Sequence, residues 1–247
     1  AAGASAAREP SAAAAAGRAR RRIRIKAPAT LRVMLVSGPR GCGKTTLVGM
    51  LKEADPRFCE PEWVATGDVD RGDNPRVRII SEDEFADVRE SDAFTASFRP
   101  YGFGGEQVDF GLPTQAVVDA ATRGGACVLD VDSIAARKIL DYPWVEALAL
   151  LAPKQDITLR FVSVWVSLPS LDDVIVRNRE RLTAMLPAGA PSSAIERQLA
   201  PLRAQTTDDL EWALTSRSFD FTIINEDKET AAQEILDKVR YCFDVVS

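Results

Sequence analysis

Gly38-Pro39-Arg40-Gly41-Cys42-Gly43-Lys44-Thr45 is the stretch of this 247-residue chain whose residue types and spacing most directly imply chemistry. It has the form G-x-x-x-x-G-K-[ST]. Glycines at these positions let successive backbone N–H groups turn inward around phosphate oxygens, and a helix opening just after them adds its N-terminal dipole. Lys44 has the reach to meet β- and γ-phosphates, and Thr45 places a hydroxyl where Mg²⁺ needs an oxygen ligand. The expectation is a nucleoside triphosphate site built from Gly38, Arg40, Gly41, Cys42, Gly43, Lys44, Thr45 and Thr46. Other chemistries drop out at once. Histidine is absent, which removes His-based general bases, Ser-His-Asp triads and histidine metal sites.

The loop needs a strand before it and a helix after it. Leu31–Ser37 is short, apolar and β-branched, as a buried parallel strand should be. Thr46-Leu47-Val48-Gly49-Met50-Leu51 reads as the helix. From Gly125 the alternation resumes. Ala126–Asp132 reads as a buried strand ending in two acids, Ser133–Leu140 as a short helix, and 157–168 as containing another strand. Ser170 and Asp173 form an S-x-x-D capping box that opens a helix through about Arg181. Phe219–Ile224 is the last strand and Glu229–Phe243 a closing amphipathic helix. Strands alternating with helices after such a loop predict an α/β fold, a three-layer α/β/α sandwich with a parallel sheet and ligands at the strands' carboxyl ends. The stretch Tyr142–Gln155 reads as an insertion whose Trp144, Leu148, Leu150 and Leu151 pack on the core.

Composition bounds the rest. Residues 1–30 are Ala/Arg-rich with a net charge of +6, leaving −11 on the remainder. An acidic body argues against a nucleic-acid partner, and no apolar run is long enough for a membrane span. The leader has the composition of a disordered tail or linker, or of an organelle transit peptide. The expected compartment is therefore the cytoplasm, with plastid or mitochondrion as the alternative. The four scattered cysteines read as reduced, small hydrophobes.

Five fragments in order carry a family resemblance. They are Val36-Ser37-Gly38-Pro39, Ser81-Glu82-Asp83-Glu84-Phe85, Val128–Asp132, Leu168-Pro169-Ser170-Leu171 and Phe219–Glu226. From about Leu31 to its C-terminus the chain resembles a guanylate kinase, a P-loop nucleoside monophosphate kinase. The resemblance implies one guanylate-kinase-like domain over residues 31–247, with an acceptor lobe at 63–112 and a lid at 182–193. It implies transfer from ATP, with Mg²⁺, to GMP, in a monomer or weak dimer. Arg177 and Arg181, four apart on one helix face, would clamp the phosphates beside Lys44, and Asn225 would contact the adenine. Asp130 and Asp132 would face the acceptor, Asp132 being the better candidate for guanine contact.

The acceptor half departs from the family pattern. The two arginines of the family's T-T-R-x-P-R have as counterparts Arg71 and Arg76, at altered spacing and among Asp68, Asp70 and Asp73. The family's N-x-Y-G-[ST] appears as Val108-Asp109-Phe110-Gly111-Leu112, so Phe110 stands where a tyrosine hydroxyl would bind phosphate. Ala96 falls near the family's guanine-reading acid, which Glu106, in a local insertion, is placed to replace. Gln198 aligns with a lid arginine and Arg197 sits one place away. Three readings follow: a GMP kinase, a kinase of the same fold on another small phosphorylated acceptor such as a ribose bisphosphate, or a catalytically weak interaction module.

Overall fold

A computed structural model describes residues 30–67, 76–99, 108–186 and 191–244. The leader, Thr30 excepted, lies outside them, as do Arg71, Glu106 and residues 187–190 of the expected lid.

The strand before the loop, β1 (Thr30–Ser37), shows why the sheet is central. Leu31, Val33 and Leu35 point into one apolar cluster and Met34 and Val36 into another, all without solvent exposure. A strand buried on both faces belongs in the middle of a parallel sheet. That sheet has the order β2 (Phe58–Cys59), β7 (Ala126–Asp130), β1, β8 (Thr158–Ser167), β9 (Phe221–Ile224), every pair parallel. On one face lie α1 (Lys44–Ala54) and the C-terminal α8 (Lys228–Asp244), which contribute Leu47, Leu51, Ile235 and Val239. On the other lie α3 (Thr114–Gly124), α4 (Ser133–Leu140) and α5 (Trp144–Leu151).

Between β2 and α3 the chain builds a second sheet, of order β4 (Val77–Ile79), β3 (Trp63–Ala65), β6 (Phe110–Pro113), β5 (Phe94–Phe98). Its inner face joins the first core cluster through Trp63, Ala65, Ala96 and Leu112. α2 (Glu82–Glu90) covers the outer side, with Phe85 packed 4.8 Å from Phe94. Ser81 caps it by accepting from Glu84 N at 3.1 Å.

α6 (Leu171–Met185) and α7 (Ser192–Ser216) form a helical pair. Ser170 caps α6 by accepting from Asp173 N at 3.1 Å. α6 runs four residues beyond Arg181 because Leu182 packs with Leu199 and Leu202 of α7, so the expected lid gives residues 182–185 to α6 and 192–193 to α7. Trp212 of α7 lies 6.1 Å from Trp165 of β8, anchoring the pair to the sheet. In α5, Trp144 and Leu148 are buried as expected, but Leu150 is 82% exposed. The four cysteines are unpaired, and no helix among the described residues is long and apolar enough to cross a membrane.

Candidate functional site

The loop from Gly38 to Gly43 leaves the carboxyl end of β1 and is held from outside by two asparagines. Gly41 and Gly43 have φ of 88° and 94°, left-handed values that suit glycine. A Cβ on Gly41 would lie 2.9 Å from Asn178 Nδ2, and one on Gly43 2.5 Å from Asn225 Nδ2. Those two amides are close because they hold the loop. Asn178 Nδ2 donates to Arg40 O at 2.8 Å and Asn225 Nδ2 donates to Cys42 O at 2.7 Å. Both asparagines are buried, so each bond is shielded from competing water and fixes a peptide plane of the loop. Asn225, expected at an adenine, thus has its amide nitrogen committed to the loop. Its backbone oxygen accepts from Arg177 Nη2 at 3.4 Å.

Lys44 Nζ donates to Gly38 O at 2.7 Å and Pro39 O at 3.1 Å, resting on the rim of its own loop. Thr45 Oγ1 donates to Asp130 Oδ2 at 2.7 Å. Asp130 ends β7, and burial raises its carboxyl above the usual range, against the opposing pull of Thr45 and Lys44. A hydroxyl and a carboxylate side by side are hard oxygen donors of the kind Mg²⁺ takes alongside phosphates and water. Among the described residues no group of three or more His, Cys, Asp or Glu is placed to hold a metal by itself. The donor set therefore fits an ion that arrives with phosphate ligands of its own.

Asp132 does not share a strand face with Asp130. The strand stops at Asp130, and Asp132 is the N-cap of α4, its Oδ1 accepting from Ala135 N at 2.8 Å. Burial raises its carboxyl too. Next to it, the Ser133 hydroxyl donates to Asp209 of α7, which is also buried. A cavity of about 680 Å³ opens there between α4 and α7, with Arg40 of the loop on its wall. Arg197 and Gln198, adjacent in sequence and 100° apart around a helix, both line it.

Arg177 and Arg181 lie one turn apart on α6, on either side of the docked Asn178. Arg76 donates from Nη1 to Glu60 O at 2.7 Å. Phe110 is half-buried on β6. Its ring stacks on Phe98 with centroids 6.3 Å apart and joins the first core cluster.

No protein-family model matches the chain. Guanylate kinases of Streptomyces kasugaensis and Streptomyces coelicolor are each 26% identical over 208 residues, covering 83% of this chain and 85% and 88% of their own. That of Rhodococcus jostii is 28% identical over 208 residues, covering 83% of this chain and 85% of its own. The chain resembles guanylate kinases. A solved structure, guanylate kinase from Anaplasma phagocytophilum, aligns with a TM-score of 0.53 at 17% identity over 85% of each chain, which is a likeness of fold.

Fold, loop and relatives together are those of a P-loop kinase. In this guanylate-kinase-like chain the elements bring Lys44, Thr45, Asp130, Asn225 and Arg177 to one end of the sheet, while Phe110 packs, half-buried, against the core of the second sheet. Sequence reasoning passed over Asn178, which a run of arginines makes look like one more solvated position. The signal was its spacing with Val174, Ile175 and Leu182, which sets it on the buried stripe of α6. It also gave Asp130 less weight than Asp132, because the Thr45 contact joins residues 85 positions apart.

Proposed function

We propose that the protein transfers the γ-phosphoryl group of ATP to the phosphate of a small acceptor, GMP first among the candidates. The observation that carries the reading is the Lys44, Thr45 and Asp130 constellation on an asparagine-braced loop, in a chain similar to guanylate kinases over most of its length. An oxygen of the acceptor's phosphate attacks Pγ. The bond from Pγ to the bridging oxygen breaks, and its electron pair leaves with ADP. A dianionic acceptor phosphate has no proton to lose, so no general base is required, in keeping with a chain that has no histidine.

The chain's own contribution is position and charge. Backbone N–H groups of the loop and the start of α1 hold the β- and γ-phosphates. Lys44 exchanges its loop carbonyls for phosphate oxygens. Arg177 and Arg181 bring positive charge from α6, whose bond to the loop through Asn178 keeps them in register with it. Thr45 and Asp130 would hold Mg²⁺, which when bound neutralises charge building on the phosphates. Arg71, Arg76, Glu106 and Asp132 are the acceptor candidates carried by the resemblance.

A second reading, transfer to a different small phosphorylated acceptor, is favoured by one observation. Phe110 is half-buried and Leu112 fully buried in the apolar core of the second sheet, where the family pattern has hydroxyls. The test is Mg-ATP-dependent ADP release with GMP, dGMP, AMP, CMP, UMP and a ribose bisphosphate, beside Lys44→Ala. Turnover confined to GMP and dGMP supports the first reading. Turnover with another acceptor alone replaces it with the second, and binding of ATP with no turnover on any acceptor defeats both.

A further inference from the structure

Buried hydroxyls in this fold find partners. Ser163 donates to Ser218 O at 3.0 Å, Ser167 to Leu168 O at 3.2 Å, Thr206 to Leu202 O at 2.7 Å and Thr95 to Thr114 Oγ1 at 3.1 Å. Ser133 donates to Asp209. Ser37 is the exception. It has no solvent exposure, and among the described residues its hydroxyl is the one buried side-chain oxygen or nitrogen without a hydrogen-bond partner. Such a group costs stability for as long as it goes unanswered, and each one kept in a native fold calls for a reason.

The place of Ser37 in the fold supplies one. It is the last residue of β1, the strand that delivers the phosphate loop, and Gly38 follows it. Along β1, Leu31, Val33 and Leu35 enter the first core cluster, which also holds Trp63 and Leu112 of the second sheet. Ser37 continues that alternation, so its hydroxyl lies on the sheet face that meets the second sheet. Asp130 is in register with Val36, whose side chain enters the opposite cluster, and it meets Thr45 of α1. The Thr45–Asp130 pair and the Ser37 hydroxyl therefore flank the loop from the two faces of the sheet. Ser37 is on the side of the lobe that the resemblance gives to the acceptor. The Lys44 ammonium joins the two sides. It rests on Gly38 O at 2.7 Å, the carbonyl next in the chain after Ser37. Its charge also reaches Asp132 at the start of α4, where it opposes the upward pull of burial on that carboxyl.

We propose that Ser37 is an acceptor-binding residue: with Lys44 drawn from Gly38 O to the phosphates, the Ser37 hydroxyl donates to an oxygen of the acceptor's phosphate. The proposal rests on the phosphotransferase reading above and adds to that site a contact on the loop's second-sheet side. In the empty chain the hydroxyl waits without a partner; in the loaded chain a neutral donor meets an anionic oxygen. Removing it should therefore have opposite signs in the two states, a gain when empty and a loss when loaded.

The test sets Ser37→Ala in the full chain beside Ser163→Ala, a control whose hydroxyl is bonded to Ser218 O and Asp220. Urea unfolding of the empty chain is expected to put the Ser37→Ala midpoint at or above that of the wild type, and the Ser163→Ala midpoint below it. A clearly lower midpoint for Ser37→Ala would mean that the hydroxyl has an internal partner, a buried water included, and would overturn the proposal. The second arm is calorimetric titration of GMP into the chain loaded with a non-hydrolysable ATP analogue. Ser37→Ala is expected to bind GMP about 10- to 100-fold more weakly, the loss of a hydrogen bond to a charged group. Affinity for the analogue should be unchanged, and Ser163→Ala should bind GMP as the wild type does. If the wild type turns over GMP and Ser37→Ala binds it equally tightly, or loses the analogue as well, Ser37 is not an acceptor contact, although the kinase reading stands. If no acceptor is turned over, that reading fails and inorganic phosphate, titrated into the same loaded chain, decides Ser37: affinity lost in Ser37→Ala supports the contact, and affinity absent or unchanged overturns it.

Discussion

Thr45 and Asp130 meet at 2.7 Å across 85 positions of sequence, and that pair is where loop and sheet become one site. Changing Asp130 to Asn keeps the shape but removes the charge. The expected outcome is a fall in kcat of about 100-fold with ATP binding retained, and a higher Mg²⁺ requirement, read from ADP release across a magnesium titration. Asn178 acts at the same scale without touching phosphate. Its amide serves Arg40 O at 2.8 Å and Val174 O at 2.9 Å, so Asn178→Ala removes a buried donor from the Arg40 carbonyl. That should cost about 1–3 kcal/mol in urea unfolding and lower kcat more than it raises the KM for ATP. At this scale the sequence was legible where one local motif holds all the information, as from Gly38 to Thr45. Asn225 was legible as a site residue by resemblance, but its bond to Cys42 O spans 183 positions and no local pattern announces it.

At the scale of elements, α4 and α6 decide where the chemistry can be. Asp132 caps α4 through Ala135 N, so Asp132→Ala should lose about 1 kcal/mol of stability, while Asp132→Ser, which can still cap, should lose a few tenths. Denaturation midpoints of the two variants check this, and their turnover separates the cap from any contact with the acceptor. If Asp132→Ser is as stable as the wild type yet has a raised acceptor KM, Asp132 reads the acceptor as well. Elements were legible where periodicity and caps agreed. The apolar run of β1 and the Ser170 box of α6 both stand where the pattern put them. Boundaries set by tertiary contact were not. α6 continues to Met185 because Leu182 finds Leu199 and Leu202, and β7 stops before Asp132 because that residue's carboxylate goes to the next helix.

The whole molecule is closed by a charge network at the opposite end of α1 from the loop. Asp55, after α1, is buried and meets Arg57 at 2.8 Å and Arg240 of α8 at 3.3 Å, while Arg57 also meets Asp244 at 3.1 Å. Hydrogen bonds from Arg57, ahead of other causes, lower the Asp55 carboxyl from 3.8 to about 2. A carboxyl depressed in the folded state contributes stability above its unfolded value and loses it as pH falls through the folded one. Asp55→Asn should therefore cost about 2 kcal/mol near neutral pH. Its difference from the wild type should shrink between the unfolded value of 3.8 and about 2, as urea midpoints taken across that range would record. The network fastens α8 to the turn between α1 and β2, so that α1, which carries the loop at its other end, has a fixed base. Transfer of the γ-phosphoryl label of radioactive ATP to GMP decides whether the loop serves phosphoryl transfer. The wild type should yield labelled GDP and Lys44→Ala about 100- to 1,000-fold less. Labelled ATP that binds but passes no label to any phosphorylated acceptor, or equal transfer by Lys44→Ala, would contradict it.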